Sequence, residues 1–141
     1  MRRAVGRGDA MTSNTEYIPG VCNIGPAEIR RRRQSGWIGV GATILAWALF
    51  VVFRVPSPWR FFLFFPAMIG ATGFLQAALH FCAGFGTRGV FNFGPVVGTT
   101  QAVEPLEFRH KDRRKARLIG LYAALIGIAI AAAGFFLPLA L

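Results

Sequence analysis

Acidic residues and cysteines are scarce in this sequence. The 141 residues include six Asp and Glu against 16 Lys and Arg, and only two cysteines. The sequence shows no serine–histidine–acid set, no pair of acidic residues and no metal-hydrolase motif. We therefore assign no catalytic residue, expect no cofactor and no metal site, and consider hydrolytic chemistry improbable.

Three long apolar stretches are the main feature of the sequence. They cover residues 37–53, 61–82 and 118–137, and none contains Asp, Glu, Lys or Arg. At 1.5 Å per helical residue, helices of this length reach roughly 26–35 Å, which matches the hydrocarbon core of a bilayer. This pattern predicts an all-α membrane protein with three transmembrane helices, a helical hairpin followed by a third span.

The basic residues predict the topology. Seven of them precede the first stretch, and seven lie between the second and third stretches. Only two, Arg54 and Arg60, lie in the short connection between the first and second stretches. The positive-inside rule therefore places the N-terminus and the loop 83–117 in the cytoplasm and the C-terminus outside. We expect a multi-pass protein of the inner or plasma membrane, with a flexible tail over 1–25 and one membrane domain over 26–141.

A formal net charge of +10 would suggest nucleic acid as the partner of a soluble protein. Here the cations flank apolar stretches, where anionic lipid on the cytoplasmic side is the expected partner, so nucleic acid is not expected. No apolar segment follows the first arginines, so no cleavable signal peptide is predicted, and Met11 is an alternative start. Pro26 and Glu28 predict a short interfacial helix over 26–34.

Small residues spaced four apart predict helix-packing faces. The pairs and the run with this spacing are Ala67 and Ala71, Gly73 and Ala77, Gly120 and Ala124, and Ala123, Gly127 and Ala131. Such faces hold the three helices together, or they serve a homo-oligomer or a larger membrane complex. The spacing does not choose between these roles.

Thr72, Gln76 and His80 form a polar stripe on the predicted second span. Polar groups inside a membrane segment usually hydrogen-bond across the helix bundle. A path for a small solute or ion is the alternative, although no carboxylate within a span supports it.

Cys22 and Cys82 are the candidate reactive thiols. Both are predicted on the cytoplasmic side, where a disulfide is not expected. Nearby arginines favour sulfur or redox chemistry, and two inert, partly buried thiols are the alternative. A metal site is a weaker alternative, because His80 and Cys82 point to different faces of a helix.

The segment 84–89 reads GFGTRG and matches the dinucleotide pattern G-x-G-x-x-G. That pattern binds a pyrophosphate only between a strand and a helix. Because this segment follows a predicted membrane helix, we interpret its glycines as a turn at the membrane surface.

The start of the predicted hairpin resembles a known family. The residues that carry the resemblance are Asn23, Gly25, Glu28, Arg32 and Gly36. In the YgaP-like, rhodanese-associated inner-membrane domain, an N-x-G, an acidic residue, an Arg and a Gly similarly lead into the first span.

The end of the hairpin is also similar to that family. Phe81, Cys82, Phe85 and Gly89 resemble its motif G-F-C-P-x-Y-x-x-x-G, although Ala83 replaces the proline. The resemblance covers about residues 23–89 and implies a helical hairpin that dimerises and has a role connected with sulfur metabolism. No rhodanese domain is present in this sequence, and a third span follows.

Three functional hypotheses follow from the sequence. The leading one is a non-enzymatic accessory or scaffold subunit that contacts a partner through its cytoplasmic segments. The second is sulfur or thiol redox chemistry at Cys82, and the third is passage of a small solute or ion along the polar stripe.

Overall fold

The computed structural model describes residues 16–137, so the alternative start at Met11 lies outside the described residues. It has three long helical segments. The first is α1 (Pro26–Val52), and the third is α4 (Leu106–Phe136). The second consists of a 3₁₀ helix (Ser57–Leu63) that continues directly into α2 (Phe64–Leu79). Each is long and apolar enough to cross a membrane. The prediction of three apolar helices of membrane-spanning length is thereby confirmed.

Helix α2 lies between the other two long helices and packs against both. It is antiparallel to α1, and α4 returns antiparallel to α2. Between α2 and α4 the chain forms α3 (Ala83–Arg88), β1 (Val90–Phe91) and β2 (Gln101–Ala102). The two short strands pair antiparallel, with Val90 opposite Ala102 and Phe91 opposite Gln101.

Two helices are longer than the sequence pattern predicted. The expected interfacial helix 26–34 and the expected span 37–53 are one helix, because neither Ser35 nor Gly36 interrupts the hydrogen bonding. The basic residues 109–117, expected within the loop 83–117, likewise belong to the same helix as the third span. Charged and apolar residues both favour a helix here, so the change of composition at each boundary does not produce a bend.

The second span ends earlier than predicted. Helix α2 stops at Leu79, and His80 takes a left-handed conformation with φ of 52°. Phe81 and Cys82 therefore do not belong to α2 but to the connection between α2 and α4.

Residues 16–25 differ from the predicted flexible tail. Cys22, Asn23 and Ile24 are buried, and Ile24 forms a parallel bridge to Asn92. These residues pack with the connection between α2 and α4 into one folded region, residues 16–25 and 80–105, which we call the cap. The cap has its own small apolar core of Ile24, Cys82 and Phe85.

Small residues form the contacts between the long helices, as predicted, although not all of the predicted pairs take part. Ala123, Gly127 and Ala131 form a buried stripe on α4. Gly120, in contrast, faces open space. Between α1 and α2 the closest approach involves Gly36 and Gly39 with Gly70 and Gly73, a spacing of three that the sequence reading did not single out.

Candidate functional site

Asn23 holds the chain at Cys82. The Asn23 side chain donates Nδ2–H to the Cys82 carbonyl at 3.1 Å and accepts the Cys82 N–H at 2.7 Å. Both residues are buried, and the left-handed turn at His80 has removed Cys82 from the hydrogen bonding of α2. The amide oxygen therefore replaces the backbone acceptor that the Cys82 N–H lacks, while the Cys82 carbonyl also accepts the Gly86 N–H at 2.9 Å.

Glu28 is a fully buried carboxylate at the start of α1. Its Oε1 accepts hydrogen bonds from Asn92 Nδ2 at 3.1 Å and from the Gly98 N–H at 2.7 Å. Gly25 adds a backbone bond to the Asn92 carbonyl at 2.8 Å. A Cβ atom on Gly25 would lie 3.0 Å from the Phe93 backbone, so a side chain there would crowd this contact.

Arg32 connects Glu28 to Cys82. Its Nη2 lies 3.7 Å from Glu28 Oε2 and donates to Cys82 Sγ at 3.0 Å. The Arg32 guanidinium also lies 5.8 Å from the centre of the Phe85 ring. Glu28 Oε2 and Arg32 Nε are buried and lack a hydrogen-bond partner among the described residues.

The remaining two motif positions are glycines with a packing role. A Cβ on Gly36 would lie 2.8 Å from the Phe74 ring, so a larger residue would separate α1 from α2. Gly89 has a φ of +70° and ends α3, with the Arg109 side chain against it. The structure thus gathers Asn23, Gly25, Glu28, Arg32 and Phe85 around Cys82 and places Gly36 and Gly89 at its borders.

Cys22 lies in the same cap but has a different environment. Its thiol donates to the Glu16 carbonyl at 3.2 Å, and burial raises its pKa. Neither cysteine forms a disulfide. In residues 16–137 no three His, Cys, Asp or Glu side chains lie close enough to bind a metal ion together.

The polar stripe does not continue along one helix face. Thr72 Oγ1 donates to the Met68 carbonyl at 2.7 Å, and Gln76 Nε2 donates to the Thr72 carbonyl at 3.2 Å. Gln76 Oε1 accepts the Ala83 N–H at 2.9 Å, while His80 lies beyond the last residue of α2. These bonds favour a structural role for Thr72 and Gln76, and passage of a solute or ion stays an untested prediction.

Asp112 is an important residue that the sequence reading did not find. It is fully buried, although it lies within the basic start of α4. Its Oδ2 accepts the Tyr17 hydroxyl at 2.6 Å, and its Oδ1 accepts the Gly20 N–H at 2.8 Å. Burial first, and then the hydrogen bond and negative charge of Asp112, raise the pKa of Tyr17 above its ordinary value. The one signal in the sequence is a single acidic residue inside a run of cations.

Arg60 has a comparable role at the opposite end of the molecule. It is buried and donates to the carbonyls of Gly134 at 3.3 Å and Leu137 at 2.9 Å. The last carbonyls of a helix lack partners within it, so an arginine there stabilises the helix end.

Comparison with known proteins gives no match among protein families, curated proteins or solved structures.

Proposed function

We propose that this protein is a membrane-embedded, non-enzymatic accessory subunit whose cap faces the cytoplasm and binds a partner protein. The supporting observation is a set of four buried polar side chains, two in the cap, one on α1 and one on α4, that are bonded to distant parts of the chain. These residues are Asn23, Glu28, Asn92 and Asp112.

Burying a polar group costs free energy unless its hydrogen bonds are replaced. Here the replacement bonds join residues 16–25 to the α2–α4 connection and to α4, and so fix the positions of segments that are too short to fold alone. The outer surface of the cap presents charged residues such as Arg88 and Glu104 beside exposed apolar ones such as Val21 and Val96. A fixed surface of this kind loses little conformational freedom when a partner binds.

Purification in mild detergent tests this proposal, with a matched pair of charge reversals. Arg88→Glu alters an exposed arginine of the cap, and Arg54→Glu alters an exposed arginine at the opposite end of the molecule. We expect the wild type and Arg54→Glu to purify with the same partner, and Arg88→Glu to lose it. A lone monomer under several mild conditions would contradict the proposal.

The orientation of the protein is tested separately. Single cysteines placed at Arg88 and at Arg54 in a cysteine-free chain are treated with an impermeant maleimide. In intact cells we expect labelling at position 54 only, and in inverted vesicles at position 88 only. The reverse pattern would place the cap outside the cell.

The contact between Arg32 and Cys82 supports a second candidate function, thiol chemistry in sulfur or redox metabolism. On this hypothesis the resemblance to the YgaP-like domain extends to Cys82, whose sulfur accepts the 3.0 Å hydrogen bond from the Arg32 guanidinium. This candidate requires a thiol that reacts quickly at neutral pH.

Alkylation rates in a Cys22→Ser background test the second candidate. Arg32→Gln removes the donor to sulfur, and Arg33→Gln removes an exposed neighbouring arginine as a control. We expect fast alkylation of Cys82 in the background protein and in Arg33→Gln, and slower alkylation in Arg32→Gln. If Cys82 resists the reagent until the protein is denatured, this candidate fails.

A further inference from the structure

A basic pocket lies where the N-terminal segment crosses α4. It has a volume of about 350 Å³ and is lined by Pro19, Gly20, Lys111, Arg114, Lys115 and Leu118. It is separate from the site around Cys82, because none of its lining residues belongs to that site.

The buried Asp112 fixes one wall of this pocket. Because Asp112 accepts the Gly20 N–H at 2.8 Å and the Tyr17 hydroxyl at 2.6 Å, residues 17–20 are held against the side of α4. The contact is close, since a Cβ on Gly20 would lie 3.2 Å from Lys111 Cβ. The Asp112 carboxylate is fully buried and therefore does not line the pocket.

The other wall is one face of α4. Positions 111, 114, 115 and 118 follow the spacing that brings residues to the same side of a helix. Three of them carry a positive charge, and Leu118 is the first residue of the apolar stretch 118–137. Lys111 also pairs with Glu107 at 3.6 Å, but both side chains are largely exposed, so this ion pair is weak.

We propose that this pocket binds the headgroup of an anionic phospholipid. Arg114, Lys115 and Lys111 neutralise the phosphate, and Leu118 contacts the start of an acyl chain. A lipid fits this site better than a free anion because the cations stop where the apolar part of the helix begins. Basic pockets beside membrane spans bind anionic headgroups in this way. The proposal does not rest on the accessory function, because it needs no protein partner.

Lipid titration of the full-length protein in neutral detergent, followed by native mass spectrometry, tests the proposal. The probes are phosphatidylglycerol and phosphatidylcholine with identical acyl chains. We expect phosphatidylglycerol to bind at least tenfold more tightly than phosphatidylcholine. Inorganic phosphate at millimolar concentration should not displace it.

Two double variants distinguish the pocket from general electrostatic attraction. Arg114→Gln with Lys115→Gln removes two charges from the pocket, and Arg113→Gln with Arg117→Gln removes two exposed charges of α4 that do not line the pocket. Cations near a lipid surface contribute roughly 1 kcal/mol each, so the pocket variant should bind phosphatidylglycerol about 30-fold more weakly. The variant with Arg113→Gln and Arg117→Gln should bind it like the wild type.

Three outcomes would overturn the proposal. If the two double variants weaken lipid binding equally, the attraction is general and not specific to the pocket. If the two lipids bind with equal affinity, the site does not recognise the headgroup charge. If inorganic phosphate displaces the lipid, the site binds a free anion. Arg114→Lys with Lys115→Arg keeps the charge and provides a second test if the neutral variant is misfolded. This swapped variant should retain tight binding, and a 30-fold loss in a folded swapped protein would contradict the proposal.

Discussion

Because α1 and α2 approach closely, we expect Gly39→Ala to lower the stability of the folded protein. A Cβ on Gly39 would lie 2.3 Å from the Gly70 nitrogen and 2.4 Å from the Gly70 Cα. Ordinary van der Waals contacts of a Cβ begin at 3.4 Å, so the backbones must separate by roughly 1 Å. The atoms that are struck belong to a helix backbone and cannot rotate away. Overpacking of this kind destabilises a folded protein by about 1–3 kcal/mol.

Gly41→Ala is the matched control on the same helix. A Cβ on Gly41 meets nothing within 4 Å, so this variant reports only the difference in helix propensity between glycine and alanine. In water that difference favours alanine by about 1 kcal/mol. We therefore expect Gly41→Ala to be as stable as the wild type or more stable, and Gly39→Ala to be less stable.

Equilibrium unfolding in mixed micelles, followed by far-ultraviolet circular dichroism, measures both variants. The free energies of unfolding should differ by at least about 1 kcal/mol, the lower end of the overpacking cost. If Gly39→Ala and Gly41→Ala unfold together, the two helices do not touch at Gly39 and the described packing is wrong.

Three other predictions concern the polar contacts. Asp112→Asn should lower the free energy of unfolding by about 1–3 kcal/mol, since it weakens the two hydrogen bonds of a buried carboxylate. It should also speed limited proteolysis at residues 16–25, whereas Glu107→Gln, at an exposed position, should change neither quantity. Because the pKa of Tyr17 is raised, its hydroxyl stays protonated in the folded protein at a pH where it ionises in the unfolded protein. The free energy of unfolding should therefore fall as the pH rises above about 10. Tyr17→Phe should reduce this fall in pH-dependent denaturation, and an unchanged pH profile would refute the assignment. Arg60→Gln should speed amide hydrogen exchange in the last turn of α4, because it removes two hydrogen bonds to that turn.

The sequence predicted the long helices well because length and hydropathy are properties of continuous segments. The family resemblance singled out Asn23, Glu28 and Arg32 as a motif before the first span, but their position beside Cys82 was not predicted. The cap itself was not predicted. Its contacts join positions far apart, such as Tyr17 and Asp112, which are 95 residues apart along the chain, and no local periodicity records such a pairing.

The burial and hydrogen bonding of single polar residues were also not predicted. Asp112 and Arg60 were counted only toward the charge distribution, yet both are buried and bonded. Asn92 was not singled out, although its side chain and backbone connect Glu28, Gly25 and Asn23. In the sequence, Asn92 is a single polar residue between two phenylalanines, and this pattern is compatible with many structural roles. Only the folded chain shows that Asn92 bonds to the start of α1.

The two anchors of α4 have a consequence for how this helix can move. Asp112 holds one end to residues 17–20, and Arg60 holds the carbonyls at the other end, about 33 Å away along the axis. A piston-like shift by one helical turn, about 5.4 Å, would break both anchors at once. Axial sliding of this helix is therefore opposed from both ends.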